Sequence, residues 1–255
     1  VLCNRSIKFG LLLAEALKDA PDGLLATGHY ADKVRAGGRW FLREPADRGK
    51  SQIYFLAMID PAALGSVVFP LAGLTVDQVH ARTAGLPLAN ADESQDVCFL
   101  QSEDLSTFLG RYLPNSFRAG DFLDTGGETI GRHGGVVHFT VGQRRGTGHA
   151  SGRRMYVVGR NLDANTVTLG DEKDLLSGSL TAHAPLYWRR LKVGEKLTVK
   201  VRYELHGHEA EVLEASAARI RAGLKTPVRA VTPGQYAVFY EGDLIVAAGE
   251  ITGEK

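Results

Sequence analysis

The two cysteines are the most reactive side chains in this 255-residue chain. Cys98 follows the polar run Asp92-Glu93-Ser94-Gln95-Asp96 and precedes Phe99-Leu100, where a loop meets an apolar anchor. Cys3 precedes Asn4, and the cations Arg5 and Lys8 close behind it would favour the thiolate, the form that attacks. A lone cysteine is often only a small buried hydrophobe. Thiols 95 positions apart cannot form a C-x-x-C redox motif, yet they can meet in space as an attacking and a resolving pair.

Other chemistries are poorly served. The eight histidines are scattered, neither C-x-x-C nor H-E-x-x-H occurs, and His206-Gly207-His208 reads as a hairpin tip, so no metal held by side chains is expected. Gly142-Gln143-Arg144-Arg145-Gly146-Thr147-Gly148 is glycine-rich but lacks the strand, lysine and helix of a nucleotide P-loop. Order alone picks out no Ser/His/Asp constellation.

Charge is balanced overall, with 30 Lys+Arg against 29 Asp+Glu, but not locally. Thr129 to Leu162 contains no acid and carries Arg132, Arg144, Arg145, Arg153, Arg154 and Arg160. A second acid-free run, Ala215 to Tyr240, holds Arg219, Arg221, Lys225 and Arg229. Arginine among flexible glycines suits a phosphate backbone, because each guanidinium can fork two oxygens. A solvated basic face is the plainer alternative, and composition does not decide between them.

These residues must be carried by elements that the pattern also predicts. Apolar positions Phe9, Leu12, Leu13 and Leu17 predict a helix over 7–17, and Leu24 to Thr27 a buried strand opening into a loop at Gly28. Helices are expected over 52–58, from Thr75 with a Thr75/Gln78 capping box, and from Ser102-Glu103-Asp104 to about Tyr112. Beyond Pro114 the texture changes to short β-rich runs: 155–158, 166–169, 197–203, 209–214 and 236–240. Residues 115–175 read as a glycine-rich connector, and the last 75 or so as a small antiparallel barrel or sandwich. A hydrophobic fraction of 44% and a charged fraction of 23% exclude a disordered polyelectrolyte, and no apolar run reaches the roughly 18–20 residues of a membrane helix. Sparse cysteine points to a reducing compartment, with the cytoplasm as the default. The chain opens at Val1 without an initiator Met or a signal-like segment, and reads as N-terminally truncated.

An ordered series of motifs resembles the bacterial tRNA-specific 2-thiouridylase (MnmA) family. It runs Leu2-Cys3-Asn4 with Ile7-Lys8-Phe9, Ala26-Thr27-Gly28-His29-Tyr30, Tyr54-Phe55-Leu56, Asp96-Val97-Cys98-Phe99 and Phe108 to Pro114. It continues with His138 to Arg144, Trp188, Arg202-Tyr203 and Ala230 to Gln235. The resemblance spans nearly the whole chain but only about the last two-thirds of the family's length. It implies three parts: residues 1–101 as the C-terminal part of an adenine-nucleotide α-hydrolase-like (PP-loop) α/β domain, 102–176 as a small central α+β tRNA-binding domain, and 177–255 as an antiparallel β-barrel.

The activity implied is ATP- and Mg2+-dependent adenylation of the C2 oxygen of the wobble uridine in tRNAs for Lys, Glu and Gln. Sulfur then replaces that oxygen. Cys98 matches the cysteine that receives persulfide sulfur from a relay protein or cysteine desulfurase. Cys3 matches the second catalytic cysteine, which releases the sulfur or forms a disulfide with Cys98. Gly28 matches a nucleotide contact, and His29, Lys50, Ser51, Gln52, Arg202, Tyr203 and Gln235 match tRNA contacts. The family's usual Lys-Asp-Gln-Ser is here Lys50-Ser51-Gln52-Ile53. The family's S-G-G-x-D-S loop, upstream of the first cysteine, is not among these residues, so the chain alone is expected not to thiolate tRNA. The competing classes are a non-enzymatic tRNA-binding module and a thiol redox enzyme without a nucleotide.

Overall fold

The computed structural model describes residues 1–86, 100, 103–148, 152 and 154–253. The helix expected over 7–17 is present but longer and wound in two ways: Asn4–Leu12 is π-helical, and Leu13–Asp19 continues as α1. Its buried positions are Asn4, Phe9 and Leu13. Winding with hydrogen bonds to the fifth residue back brings Asn4 and Phe9 onto one face, which ordinary α-helical winding would separate.

Next come β1 (Leu25–Ala26) and a hairpin of β2 (Asp32–Ala36) and β3 (Arg39–Arg43). Gly37 and Gly38 turn the hairpin with φ of 56° and 77°, the positive values that a type I′ turn requires at both central positions. Arg43 also grips Asp32 across the strands at 2.6 and 2.7 Å. The short helix α2 (Ile53–Leu56) follows, and β4 (Val67–Val68) lies parallel to β1. The capping box at α3 (Val76–Thr83) forms as expected: Thr75 Oγ1 accepts from the Gln78 amide at 3.3 Å, and Gln78 Oε1 from the Thr75 amide at 3.0 Å. α4 (Leu105–Tyr112) is capped by Asp104, which accepts from the Thr107 amide at 3.0 Å. Ser102, at the head of the expected helix, lies outside the described residues, and Asp104, expected as an acid of the first turn, is the cap.

The region read as a connector contains a four-stranded mixed sheet of β5 (Gly120–Leu123), β6 (Thr129–His133), β7 (Tyr156–Asn161) and β8 (Thr166–Gly170), in the order β6-β5-β8-β7. β5 and β8 run parallel, and the outer pairs are antiparallel. Its core is Phe122, Val136, Phe139, Met155, Val157, Val167 and Leu169, with the His133 ring at 5.1 Å from Phe122 and 5.2 Å from Phe139. β7 and β8 fall on the β-rich runs expected at 155–158 and 166–169; β5 and β6 escape a periodicity reading because glycines interrupt their apolar alternation.

The barrel strands are β9 (Leu176–Tyr187), β10 (Lys196–Lys200), β11 (His208–Ala215), β12 (Arg219–Arg229), β13 (Tyr236–Glu241) and β14 (Leu244–Ile251). The order β13-β10-β11-β12-β9-β14 closes through β13–β14. Of the two architectures left open by sequence, the closed barrel is the one adopted; closure leaves none of its strands with an unpaired edge. β10 ends at Lys200, three residues before the expected end, because the Val201 amide turns to Glu204 Oε1 at 3.2 Å. Arg202 and Tyr203 are thereby released from the ladder.

The chain forms two compact units: Val1–Ala91 with Gly178–Thr226 and Thr232–Lys255, and Asp92–Ser177 with Pro227–Val231. In the first unit the N-terminal segment and the barrel share one core that includes Phe9, Leu42, Ile53, Leu56, Trp188 and Ile245. β3 extends the barrel sheet beside β14, with Arg43 opposite Leu244. Beside this seam Lys200 Nζ meets Glu44 Oε1 at 2.9 Å, both side chains nearly buried. We expect Lys200→Met to strand the Glu44 charge and cost about 3–5 kcal/mol in urea unfolding. Adding Glu44→Leu should restore most of that loss; a single variant within about 0.5 kcal/mol of wild type would contradict the role of the pair.

Candidate active site

Cys3 sits at the foot of the π-helix, exposed and with a free thiol. What fixes this foot is Asn4, whose buried side chain donates through Nδ2 to the Phe55 carbonyl at 3.1 Å. Beside Cys3 opens a cleft of about 510 Å³, lined also by Tyr54, Phe55, Tyr203, Gln235 and Tyr236. Tyr203 stands half exposed and lies on Phe55, ring centroids 4.9 Å apart and planes at 33°. The Gln235 side chain is free to face the cleft, because its backbone makes the local bonds: its carbonyl accepts from the Ile251 amide at 2.7 Å. The wall thus combines a thiol, a stacked aromatic pair and an amide able both to donate and to accept.

A second cleft, of about 450 Å³, opens along the same helix and is lined by Lys8, Leu12, Leu25, Thr27, Gly28, His29 and Gln52. Gly28 follows the C-terminal end of β1, where α/β sheets bind ligands, and nothing lies within 4 Å of where a Cβ would project. Apolar walls, an open backbone and the Lys8 cation fit a nucleotide. Lys8, expected to act on Cys3, lines this cleft instead. The His29 ring lies 5.8 Å from that of buried Phe9, tilted by 47°, and holds Thr27 Oγ1 at 3.0 Å. Burial, helped by the Lys8 charge, lowers its pKa to about 4, so the ring is neutral at physiological pH. Gln52 locks the loop reciprocally: its Oε1 accepts from the Tyr30 amide at 2.9 Å, and its own amide donates to the Tyr30 carbonyl at 2.8 Å.

The candidate residues thus fall into two groups, Cys3, Tyr203 and Gln235 in one cleft and Gly28, His29 and Gln52 in the other. Lys50 closes a 3-10 turn and Arg202 pairs loosely with Glu204 at 3.5 Å; neither lines either of these two clefts. Ser51 is buried, with its Oγ unpartnered. Cys98 lies outside the described residues. With Cys3 free, the structure lends no support to a standing disulfide. Among the described residues, no group of three or more His, Cys, Asp or Glu could hold a metal, and no helix is long and apolar enough to cross a membrane. Tyr54, Phe55 and Asn4 stand within the family motifs without a role of their own; their place in the cleft wall and under Cys3 emerges from tertiary contact.

Comparison with known proteins first defines the class. Family models described as a tRNA methyl transferase HUP domain, a tRNA methyl transferase PRC-barrel domain and an aminomethyltransferase beta-barrel domain match residues 1–102, 106–171 and 177–251. The chain therefore joins a HUP-type α/β segment to two β modules. Among curated relatives, the tRNA-specific 2-thiouridylase MnmA of Acetivibrio thermocellus is 36% identical over 98% of this chain and 71% of its own length. Those of Treponema denticola and Acidithiobacillus ferrooxidans are 37% and 38% identical, each over 98% of this chain and 72% of the relative. The chain belongs to the tRNA-specific 2-thiouridylase family.

His29 gives this site a pH signature. Its folded-state pKa of about 4 lies below the ordinary 6.5, so the unfolded chain takes up the proton first. Stability from this ring is whole above about pH 6.5 and declines as the pH falls towards 4, by on the order of 1–2 kcal/mol after allowance for solvent at the exposed edge. His29→Gln should flatten that part of the stability profile, and NMR titration of the wild-type ring should give a midpoint below 5. A midpoint near 6.5 would show the ring to be solvated.

Proposed function

We propose that this chain serves, together with the family's S-G-G-x-D-S segment, as a tRNA 2-thiouridylase that acts on the wobble uridine of tRNAs for Lys, Glu and Gln in the cytoplasm. The observation that carries the reading is the free Cys3 thiol in one cleft with Tyr203 and Gln235, two positions where the family resemblance implies tRNA contact. A uridine C2 carbonyl is a poor electrophile with no leaving group; ATP, as co-substrate with Mg2+, supplies the adenylyl group that lets the oxygen depart within AMP. Gly28, His29 and Lys8 would hold the nucleotide edge nearest this chain, with Lys8 facing phosphate charge and neutral His29 offering a polar contact without a competing cation.

The aromatic pair Phe55–Tyr203 offers a face for a base drawn out of the anticodon stack, as chemistry on a base demands. Gln235 would read its polar edge. Lys50 and Arg202 complete the tRNA contacts in this reading, supported by Gln52, which holds the Tyr30 loop, and by buried Ser51, which shapes the turn after Lys50. Cys98 receives sulfur from a relay protein or cysteine desulfurase and, as a persulfide, attacks C2. Cys3 then attacks the sulfur bridge, releasing the thiolated base and leaving a Cys3–Cys98 disulfide for an external thiol to reduce. The products are 2-thiouridine, AMP and diphosphate.

The test is 2-thiouridine formation by a sulfur-loaded protein that joins this chain to the family's S-G-G-x-D-S segment, with ATP and tRNA, since the chain alone is expected to bind tRNA without thiolating it. Cys98→Ser and Cys3→Ser should each lower turnover by at least about 10³-fold while leaving tRNA affinity within about twofold. Normal thiolation by Cys98→Ser would overturn the persulfide role. Wild-type protein that binds tRNA but never thiolates it would favour the non-enzymatic binding module. Tyr203→Ala should weaken tRNA binding by about 1–3 kcal/mol, the worth of one stacked base; unchanged binding would remove the aromatic face from the account.

A further inference from the structure

The glycine-rich loop that fits no nucleotide motif is a firmly braced turn in the second compact unit. Its backbone is held from both sides: the Gly142 amide donates to the Val157 carbonyl at 2.8 Å, and the Val157 amide to the Gln143 carbonyl at 2.9 Å. The Gln143 side chain ties the turn to itself, accepting from the Thr140 amide at 3.0 Å and donating to the Arg145 carbonyl at 3.0 Å. Arg229 clamps it from the neighbouring strand, donating to the Gly142 carbonyl at 3.1 Å while lying 5.4 Å from the Tyr156 ring centroid. Gly142, at φ 92°, allows the sharp bend.

What this bracing displays is Arg144 and Arg145, adjacent and both exposed. Neither guanidinium has a carboxylate or hydrogen-bond partner among the described residues. The nearby carboxylate of Glu172 faces Arg229, at 3.8 Å. The surrounding sequence, Thr129 to Leu162, contains no acid at all. Two neighbouring guanidiniums without a counter-charge repel each other, and a rigid turn cannot relax them apart. A polyanion relieves that repulsion, and the turn is already ordered before the ligand arrives, so little entropy is lost on docking.

We propose that the 140–145 turn is an RNA phosphate-docking site, with Arg144 and Arg145 forking the oxygens of successive phosphates. This rests on the tRNA reading above and adds to it a surface carried by the second compact unit. Phosphodiester fits better than a protein carboxylate surface, because closely spaced, regularly repeated anions match two adjacent forks, and glycines on either side let a backbone approach.

The experiment measures binding of an unmodified tRNA transcript to the 255-residue chain between about 50 and 300 mM KCl. R144A/R145A should flatten the slope of log K against log salt by about 1.4–1.8, the value for two lost phosphate contacts, and weaken binding at least tenfold at the lower salt. R144K/R145K should keep most of the slope yet bind several-fold more weakly, since the charge survives and the fork does not. An unchanged slope and affinity in R144A/R145A, with wild type binding well, would overturn this site alone. Displacement of tRNA by polyglutamate of equal charge, dependent on the same arginines, would reassign the turn to an acidic protein. Failure of wild type to bind tRNA even at about 50 mM salt would overturn the tRNA reading and this site with it.

Discussion

The hydrogen bond from the Tyr54 hydroxyl to the Tyr236 carbonyl, 2.9 Å long and spanning 182 positions of sequence, joins the two halves of the candidate site. The cleft beside Cys3 takes its walls from the chain start, from α2, from the loop after β10 and from the approach to β13. It exists only while α2 stays seated on the barrel. The buried indole of Trp188 adds a second tie, donating to the Ala57 carbonyl at 3.1 Å, and the shared apolar core closes around both. Burial also pushes the Tyr54 pKa up to about 12, so the phenol keeps its proton as a donor throughout the physiological range. Cys3 is held to the same anchor at one remove, through Asn4 and the Phe55 carbonyl. The barrel is thus the scaffold on which an exposed thiol and its aromatic wall are assembled.

Much of this was legible from residues alone, where local chemistry decides. The Thr75/Gln78 box, the helix that stops at Tyr112 and the loop at Gly28 are dictated within a few residues and formed as read, whereas the buried strand expected over 24–27 is only the two-residue β1, with Leu24 and Ala26 exposed. The Gly37-Gly38 hairpin carried a local signal that periodicity reading passed over, because β2 is charged and only partly buried. Long-range determinants were silent. The π winding of Asn4–Leu12 follows from what Asn4 and Phe9 bury against, and the mixed sheet in the glycine-rich middle depends on a parallel β5–β8 pairing that no short window reveals.

The site divides in the same way. Motif resemblance supplied Cys3, Tyr203 and Gln235 as separate positions, and tertiary structure brings them to one cleft. It could not supply Phe55 as the partner of Tyr203, because a phenylalanine in an apolar run reads as core. Nor did it show that Lys8 and Cys3, five residues apart on one helix, serve different clefts. Splitting cation and thiol is chemically sensible: one cleft acquires the features of an anion site, and the other stays a largely aromatic pocket around sulfur.

The claim on which the account turns is that the cleft beside Cys3 receives the wobble base. The most direct measurement is photocrosslinking with a tRNA carrying 5-bromouridine at that position, followed by mass spectrometry of the adduct. The account predicts attachment to Tyr54, Phe55 or Tyr203, and loss of the Tyr203 adduct when Gln235→Ala disturbs the opposite wall. Adducts confined to residues outside this cleft, at a yield that Gln235→Ala leaves unchanged, would contradict it.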